Sequence, residues 1–184
     1  MKFKISDIAQ VAIFSALACA GGYLLIAVPN VEMITAIIFM SGYYLGSKKG
    51  MLVGLIAQSL YSTINPYGVS PPPLFVAQVL NRVLLGFVGG RLQSFLESEK
   101  RIWVMTCVLA ALGLLLTWLF DVTTDFSFFF VSGFSVQQMK TTFALGLPFY
   151  LVHGFSNTAI FALVLPVVIR GLKRLELPKT ANLS

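Results

Sequence analysis

The chain has 184 residues, of which 57% are hydrophobic and only 11% are charged, with a mean hydropathy of +0.86. Soluble globular domains carry about 25% charged residues, so a water-soluble globular fold is excluded and an integral membrane protein is expected. The formal net charge is +6.

Taken in chain order, apolar runs stand out at roughly 5–28, 31–46, 49–64, 72–92, 102–120 and 145–170, and each is read as a membrane-crossing helix. The runs are continuous and do not alternate, which excludes a transmembrane barrel. The expected fold is an all-α integral membrane protein. It forms one compact six-transmembrane-helix bundle over 1–184, with both termini cytoplasmic and a short polar tail from about 175. The first run is long enough to stay as a span, so it is not read as a cleaved leader. The second and third runs are short, and tilting less or ending in a cavity would accommodate them.

With the N-terminus inside, the cytoplasmic segments hold Lys2, Lys4, Lys48, Lys49, Arg91, Lys100, Arg101, Arg170, Lys173, Arg174 and Lys179, whereas the outer segments hold only Lys140. This is the asymmetry of the positive-inside rule. The net charge therefore reflects topology, and no nucleic-acid partner is expected. Cys19 and Cys107 both fall inside runs, giving neither a disulfide framework nor a metal spacing.

The first run carries small residues at every fourth position, Ala12, Ala16 and Ala20, with Ala9 extending the surface. Gly42 and Gly46 repeat the spacing in the second run, and Gly50 and Gly54 in the third. Such faces let helices approach closely. The glycines are read as internal packing.

Prolines gather on the outer side, in "VPNVE" and "NPYGVSPPP", and stiffen the first two outer loops. The third outer segment, 121–146, is long and apolar, and its Phe126, Phe128, Phe129 and Phe130 suit an interfacial segment or a lid folding back onto the bundle. Polar residues inside the runs form stripes at helical spacing: Gln58, Tyr61 and Asn65; Gln78, Asn81 and Arg82; Trp118, Asp121 and Asp125; His153 and Asn157. Every stripe leans toward the outer half of its span. Arg82 is the deepest charge, and either it pairs with Asp121 or Glu32 or it faces a hydrated cavity or an anionic ligand.

The size, the topology, the alanine row and a pocket beneath outer loops together resemble the substrate-binding S components of energy-coupling factor (ECF) transporters. The stretches "VPNVEMITAIIFMSGYYLGSKKGMLVGLIAQSLYSTINPYG" and "GLPFYLVHGFSNTAIFALVLPVVI" are similar in character to the second-and-third-span region and the last span of that family. The resemblance implies high-affinity capture of a vitamin or vitamin-like micronutrient at an outward-facing pocket in a prokaryotic cytoplasmic membrane. It implies as partners a transmembrane coupling subunit, docked on Ala12, Ala16 and Ala20, and two cytoplasmic ATPases. No cofactor or metal is expected.

On this reading the ligand enters under the loops around Pro29, 65–73 and 121–146. Arg82, Gln78 and Asn81 hold it, Tyr61, Trp118 and Phe149 pack against it, and Asn65, Asp121, His153 and Asn157 complete the site. As the lone deep cation, Arg82 fits a ligand carboxylate or phosphate gripped in bidentate fashion.

The chain has no GxxxxGK[ST] stretch, so an ATP motor must be another chain. An enzyme is not expected. The single histidine excludes HExxH chemistry, and His153 with Ser156 lacks a nucleophile elbow. The alternative is a solitary small-molecule carrier working without ATPase subunits, but the inverted repeats common in such carriers are too faint here to claim. Dependence of uptake on ATP and on other subunits separates the two.

Overall fold

The computed structural model describes residues 3–174. Lys2, Lys179 and the polar tail from about 175 lie outside the described residues. The elements in chain order are α1 (Ile5–Leu24), α2 (Ile34–Leu45), α3 (Ser47–Thr63), α4 (Pro72–Arg91), a short α5 (Gln93–Ser98), α6 (Ile102–Ser132), α7 (Val136–Ala159), a π-turn (Ile160–Val164) and α8 (Leu165–Arg174). The described residues contain no strand. Helices α1, α4 and α6, and the continuous stretch Val136–Arg174, are each long and apolar enough to cross a membrane.

Helix α2 is only 12 residues long, about 18 Å at 1.5 Å per residue. Its burial explains how so short a helix is stable. Ile34, Thr35, Ala36, Ile38, Phe39, Met40, Ser41, Gly42, Tyr43 and Leu45 are all buried, so α2 is wrapped by its neighbours and is apolar on every side. It reverses into α3 at Gly46 alone, whose φ of 88° suits a residue without a Cβ.

Around α2, the glycines bring three backbones together. A Cβ on Gly42 would meet the Gly86 carbonyl oxygen at 2.0 Å, one on Gly86 the Gly50 oxygen at 2.1 Å, and one on Gly54 the Arg82 oxygen at 2.2 Å. Helices α2, α3 and α4 therefore pack backbone to backbone, as small-residue faces permit. The alanine row behaves differently. Ala12, Ala16 and Ala20 are exposed, while Val11, Ser15 and Ala18 on the opposite side of α1 are buried.

The segment 121–146, expected as a loop or lid, is helical. α6 runs 31 residues to Ser132, about 46 Å, and α7 begins at Val136. No Gly or Pro falls between 121 and 132, so nothing stops the helix until Gly133 takes a left-handed φ of 61°. Ser135 then caps α7 in a reciprocal capping box with Gln138. The last apolar run, expected to begin at 145, is correspondingly longer. It passes through Pro148, tolerated in a membrane helix where neighbours supply partners, and widens at the π-turn. α6 and α7 run antiparallel with 121 opposite 153; a Cβ on Gly113 would lie 2.9 Å from that of Phe161, two turns deeper.

The basic residues collect at one end. Lys49 reaches Asp7 at 2.5 Å, Arg170 donates to the Lys100 carbonyl at 2.8 Å, and Lys173 donates to that of Leu96 at 2.6 Å. At the other end lie the α1–α2 loop, 25–33, and the α3–α4 loop, 64–71.

Candidate functional site

Arg82 projects from α4 at the point where α2, α3, α6 and α7 converge, and is 4% exposed. Each of its three nitrogens donates to a protein oxygen. Nε donates to Gln58 Oε1 at 3.0 Å, Nη2 to Glu32 Oε1 at 2.7 Å, and Nη1 to the Thr35 hydroxyl. The Phe120 ring lies 4.4 Å beneath its carbon, a cation–π contact. The Thr35 hydroxyl in turn donates to Glu32 Oε1. The ion-pair alternative for Arg82 is thus the one formed, with Glu32 as partner. Both terminal nitrogens already donate to protein oxygens, and each keeps a second N–H.

The ion pair continues into α7. His153 Nδ1 lies 2.7 Å from Asp121 Oδ1 and Nε2 lies 3.4 Å from Glu32 Oε1. Because both ring nitrogens face carboxylate oxygens, the arrangement is satisfied when each carries a proton. Burial alone would raise the Glu32 carboxyl, but the Arg82 guanidinium, with His153 and the Thr35 hydroxyl, overrides it and holds the group well below the usual carboxylate range. With both ring nitrogens protonated, His153 joins Arg82 in balancing the two carboxylates.

Above this layer is a cavity of about 390 Å³. Its floor is polar: Arg82, Gln58, Gln78, Asp121 and His153. A relay of hydrogen bonds fixes the amides there. Gln58 Nε2 donates to Ser62 Oγ at 2.8 Å, Ser62 donates to Gln78 Oε1 at 2.8 Å, and Ser70 donates to the same oxygen at 3.0 Å. The α1–α2 loop lines the cavity with apolar Ile26, Val28, Pro29 and Val31 and with polar Asn30 and Glu32, opposite Tyr61 and Tyr67.

That loop is strapped across the opening. Asn30 takes a φ of 60°, a conformation asparagine tolerates better than most residues. Its Nδ2 donates to the Phe149 carbonyl at 2.9 Å, and its own carbonyl accepts from Ser156 Oγ at 3.0 Å. Tyr67 donates to the Ile26 carbonyl at 3.4 Å, tying the two loops together.

Of the residues singled out from sequence, the structure brings Tyr61, Gln78, Arg82, Asp121 and His153 to this cavity. The others lie elsewhere. Asn81 turns to α6, donating to Thr123 Oγ1 at 2.7 Å. Asn65 shapes the α3–α4 loop, accepting from the Tyr67 amide at 2.9 Å. Trp118 is 45% exposed and Phe149 52% exposed, Phe149 serving the site through its carbonyl. Asn157 is fully buried one turn deeper, its amide without a partner among the described residues. Sequence reasoning passed over Thr35, Phe120, Tyr67 and Asn30 as site residues. Thr35 was accessible as the position three after Glu32, since residues so spaced share a helical face. Asn30 gave no signal beyond its neighbouring proline.

The cavity offers hydrogen-bonding groups beneath an apolar lid, an arrangement that binds a mixed polar and apolar small molecule. Among the described residues, no group of three His, Cys, Asp or Glu side chains is disposed to hold a metal ion. A family model described as the S component of ECF-type riboflavin transporters matches residues 2–173. No curated protein matches the chain, and no solved structure does.

Proposed function

Because the chain belongs to the family of ECF-type riboflavin transporter S components, we propose that its cavity captures riboflavin from outside the cell and that partner subunits drive its release inside. The observation that carries the choice of ligand is the self-neutralised floor. Riboflavin is uncharged at neutral pH and combines a planar heteroaromatic ring with a polyhydroxyl chain. A floor whose one guanidinium already pairs with Glu32 at 2.7 Å suits such a ligand, and the Gln58 and Gln78 amides, Asp121 and His153 supply polar groups for its hydroxyls. The ring packs under Ile26, Val28 and Pro29 and against Tyr61 and Tyr67.

In this reading six helices cross a prokaryotic cytoplasmic membrane, α2 and α3 being the short crossings. Both termini are cytoplasmic, at the end where Lys48, Arg91, Lys100 and Arg170 gather. The loop 25–33 covers the loaded site, and its straps to Phe149 and Ser156 hold it shut. Energy comes from two ATPases through a transmembrane coupling subunit. The exposure of Ala12, Ala16 and Ala20 supports their use as its docking face, since a smooth row with no internal partner permits close helix approach.

The test separates capture from transport. Ala16→Trp puts a large ring on that face, far from the pocket. Riboflavin binding by the purified variant is expected to stay within about twofold of the unmodified protein, while uptake by cells carrying the coupling subunit and ATPases falls at least about tenfold. Unchanged uptake contradicts the docking role. Uptake that needs neither subunits nor ATP supports the solitary carrier instead.

A further inference from the structure

We propose that Lys49 is a positioning residue for subunit coupling. By gripping Asp7 and Gln10 it sets the rotation of α1, and with it the direction in which Ala12 and Ala16 face. This rests on the docking reading of the alanine row given above and names what holds that row in place.

Apolar packing does little to fix the rotation of α1. Its buried residues are Val11, Ser15, Ala18, Gly21 and Gly22, none with a side chain larger than valine. Such a surface allows close approach but offers few knobs to resist rotation or sliding. The outer end is held by shape. A Cβ on Gly22 would meet the Tyr61 ring at 2.8 Å, and one on Gly21 would meet Ile37 Cδ1 at 2.5 Å. Tyr23 lies against Tyr61 with ring centroids 4.9 Å apart and donates to its carbonyl at 3.2 Å.

At the cytoplasmic end the contact is ionic instead. Two adjacent lysines open α3, of which Lys48 is exposed and Lys49 only 8% exposed. Lys49 Nζ lies 2.5 Å from Asp7 Oδ1 and donates to Gln10 Oε1 at 3.3 Å. A buried ion pair adds little net stability, because desolvation offsets the attraction, and its best-attested use is to specify register. The geometry here suits that use. Asp7 and Gln10 lie about 60° apart around the helix, so one ammonium brackets both. A slip of one residue turns α1 by about 100° and carries both away from Lys49. On the same wheel Ala16 lies about 180° from Asp7, and Ala12 about 140°. The side that Lys49 holds inward is therefore the reverse of the side that the alanines present outward.

Lys49→Met keeps the length and apolar stem of the side chain and removes the charge. The full-length variant is titrated with riboflavin in detergent. Separately it is co-expressed with the coupling subunit and ATPases, and their co-purification is measured. Riboflavin affinity is expected to stay within about threefold of the unmodified protein, while the recovered complex falls at least about tenfold. The charge-swapped protein, Asp7→Lys with Lys49→Asp, rebuilds the internal pair but reverses any charge that Lys49 could offer a partner directly. It is expected to recover at least about half of the lost complex. Ala16→Trp, made alongside, tests the docking reading by itself. Normal assembly by Lys49→Met when Ala16→Trp fails to assemble overturns the proposal. So does a Lys49→Met protein that loses riboflavin together with its partners, since that marks a general role in the fold. A charge-swapped protein that stays unassembled overturns it as well. Normal assembly by Ala16→Trp overturns the docking reading itself.

Discussion

Arg82→Met is expected to abolish ligand binding and to lower the stability of the fold by about 3–5 kcal/mol, the range for breaking a buried ion pair by removing one partner. The substitution keeps much of the side-chain volume but strips Glu32, Thr35 and Gln58 of their shared donor. Glu32 would then stay as a buried carboxylate with only Thr35 and His153 beside it. If that stranded charge causes the instability, neutralising it should relieve most of the loss. The double variant Arg82→Met with Glu32→Gln is therefore expected to recover at least about half of the lost stability. It should not recover binding, because the floor has lost the group that orders Gln58. Thermal unfolding and ligand titration of the three proteins check this, and an Arg82→Met protein with unchanged affinity contradicts the site.

Gly86→Ala is expected to have an effect of comparable size by a different route. One added carbon would lie 2.1 Å from the Gly50 carbonyl oxygen and 2.3 Å from its carbon. These are backbone atoms, so no rotamer change relieves the clash and α3 must separate from α4. Overpacking in well-filled interiors costs about 1–3 kcal/mol and occasionally more; with two backbones in contact, about 3 kcal/mol or more is expected here. The site would suffer too, because Arg82 lies one turn along α4 and its carbonyl is packed against Gly54. Gly171→Ala is the control. A Cβ there meets nothing within 4 Å, and alanine's better helix propensity predicts a neutral or slightly stabilising change. Equal melting temperatures for the two variants would contradict the packing account.

Hydropathy made the helices legible, because long apolar runs leave few alternatives. It failed at 121–146 for a specific reason. Asp121, Thr124 and Asp125 look like the polar end of a span, yet Asp121 meets His153 at 2.7 Å and Thr124 bonds back to the Phe120 carbonyl at 2.7 Å. Their polarity is spent on α7 and on the helix itself, and the chain stays helical through them.

The site was legible as stripes but not as an assembly. Gln78 and Arg82, four apart, reach the same cavity, whereas Asn81, turned about 100° from Arg82, reaches α6. Spacing along one helix says which residues share a face and not which neighbour that face meets. Glu32 was visible only as one of two acids able to pair with Arg82. Choosing between them needed the fold, which gives Glu32 to the arginine and Asp121 to the histidine.

The central claim is that the self-neutralised cavity beneath the loop 25–33 holds riboflavin. Native mass spectrometry of the detergent-purified protein, with Arg82→Met alongside, tests it most directly. The account predicts a retained species of riboflavin's mass at one per chain, absent from the variant. A different retained molecule, or riboflavin held equally by the Arg82→Met protein, would contradict it.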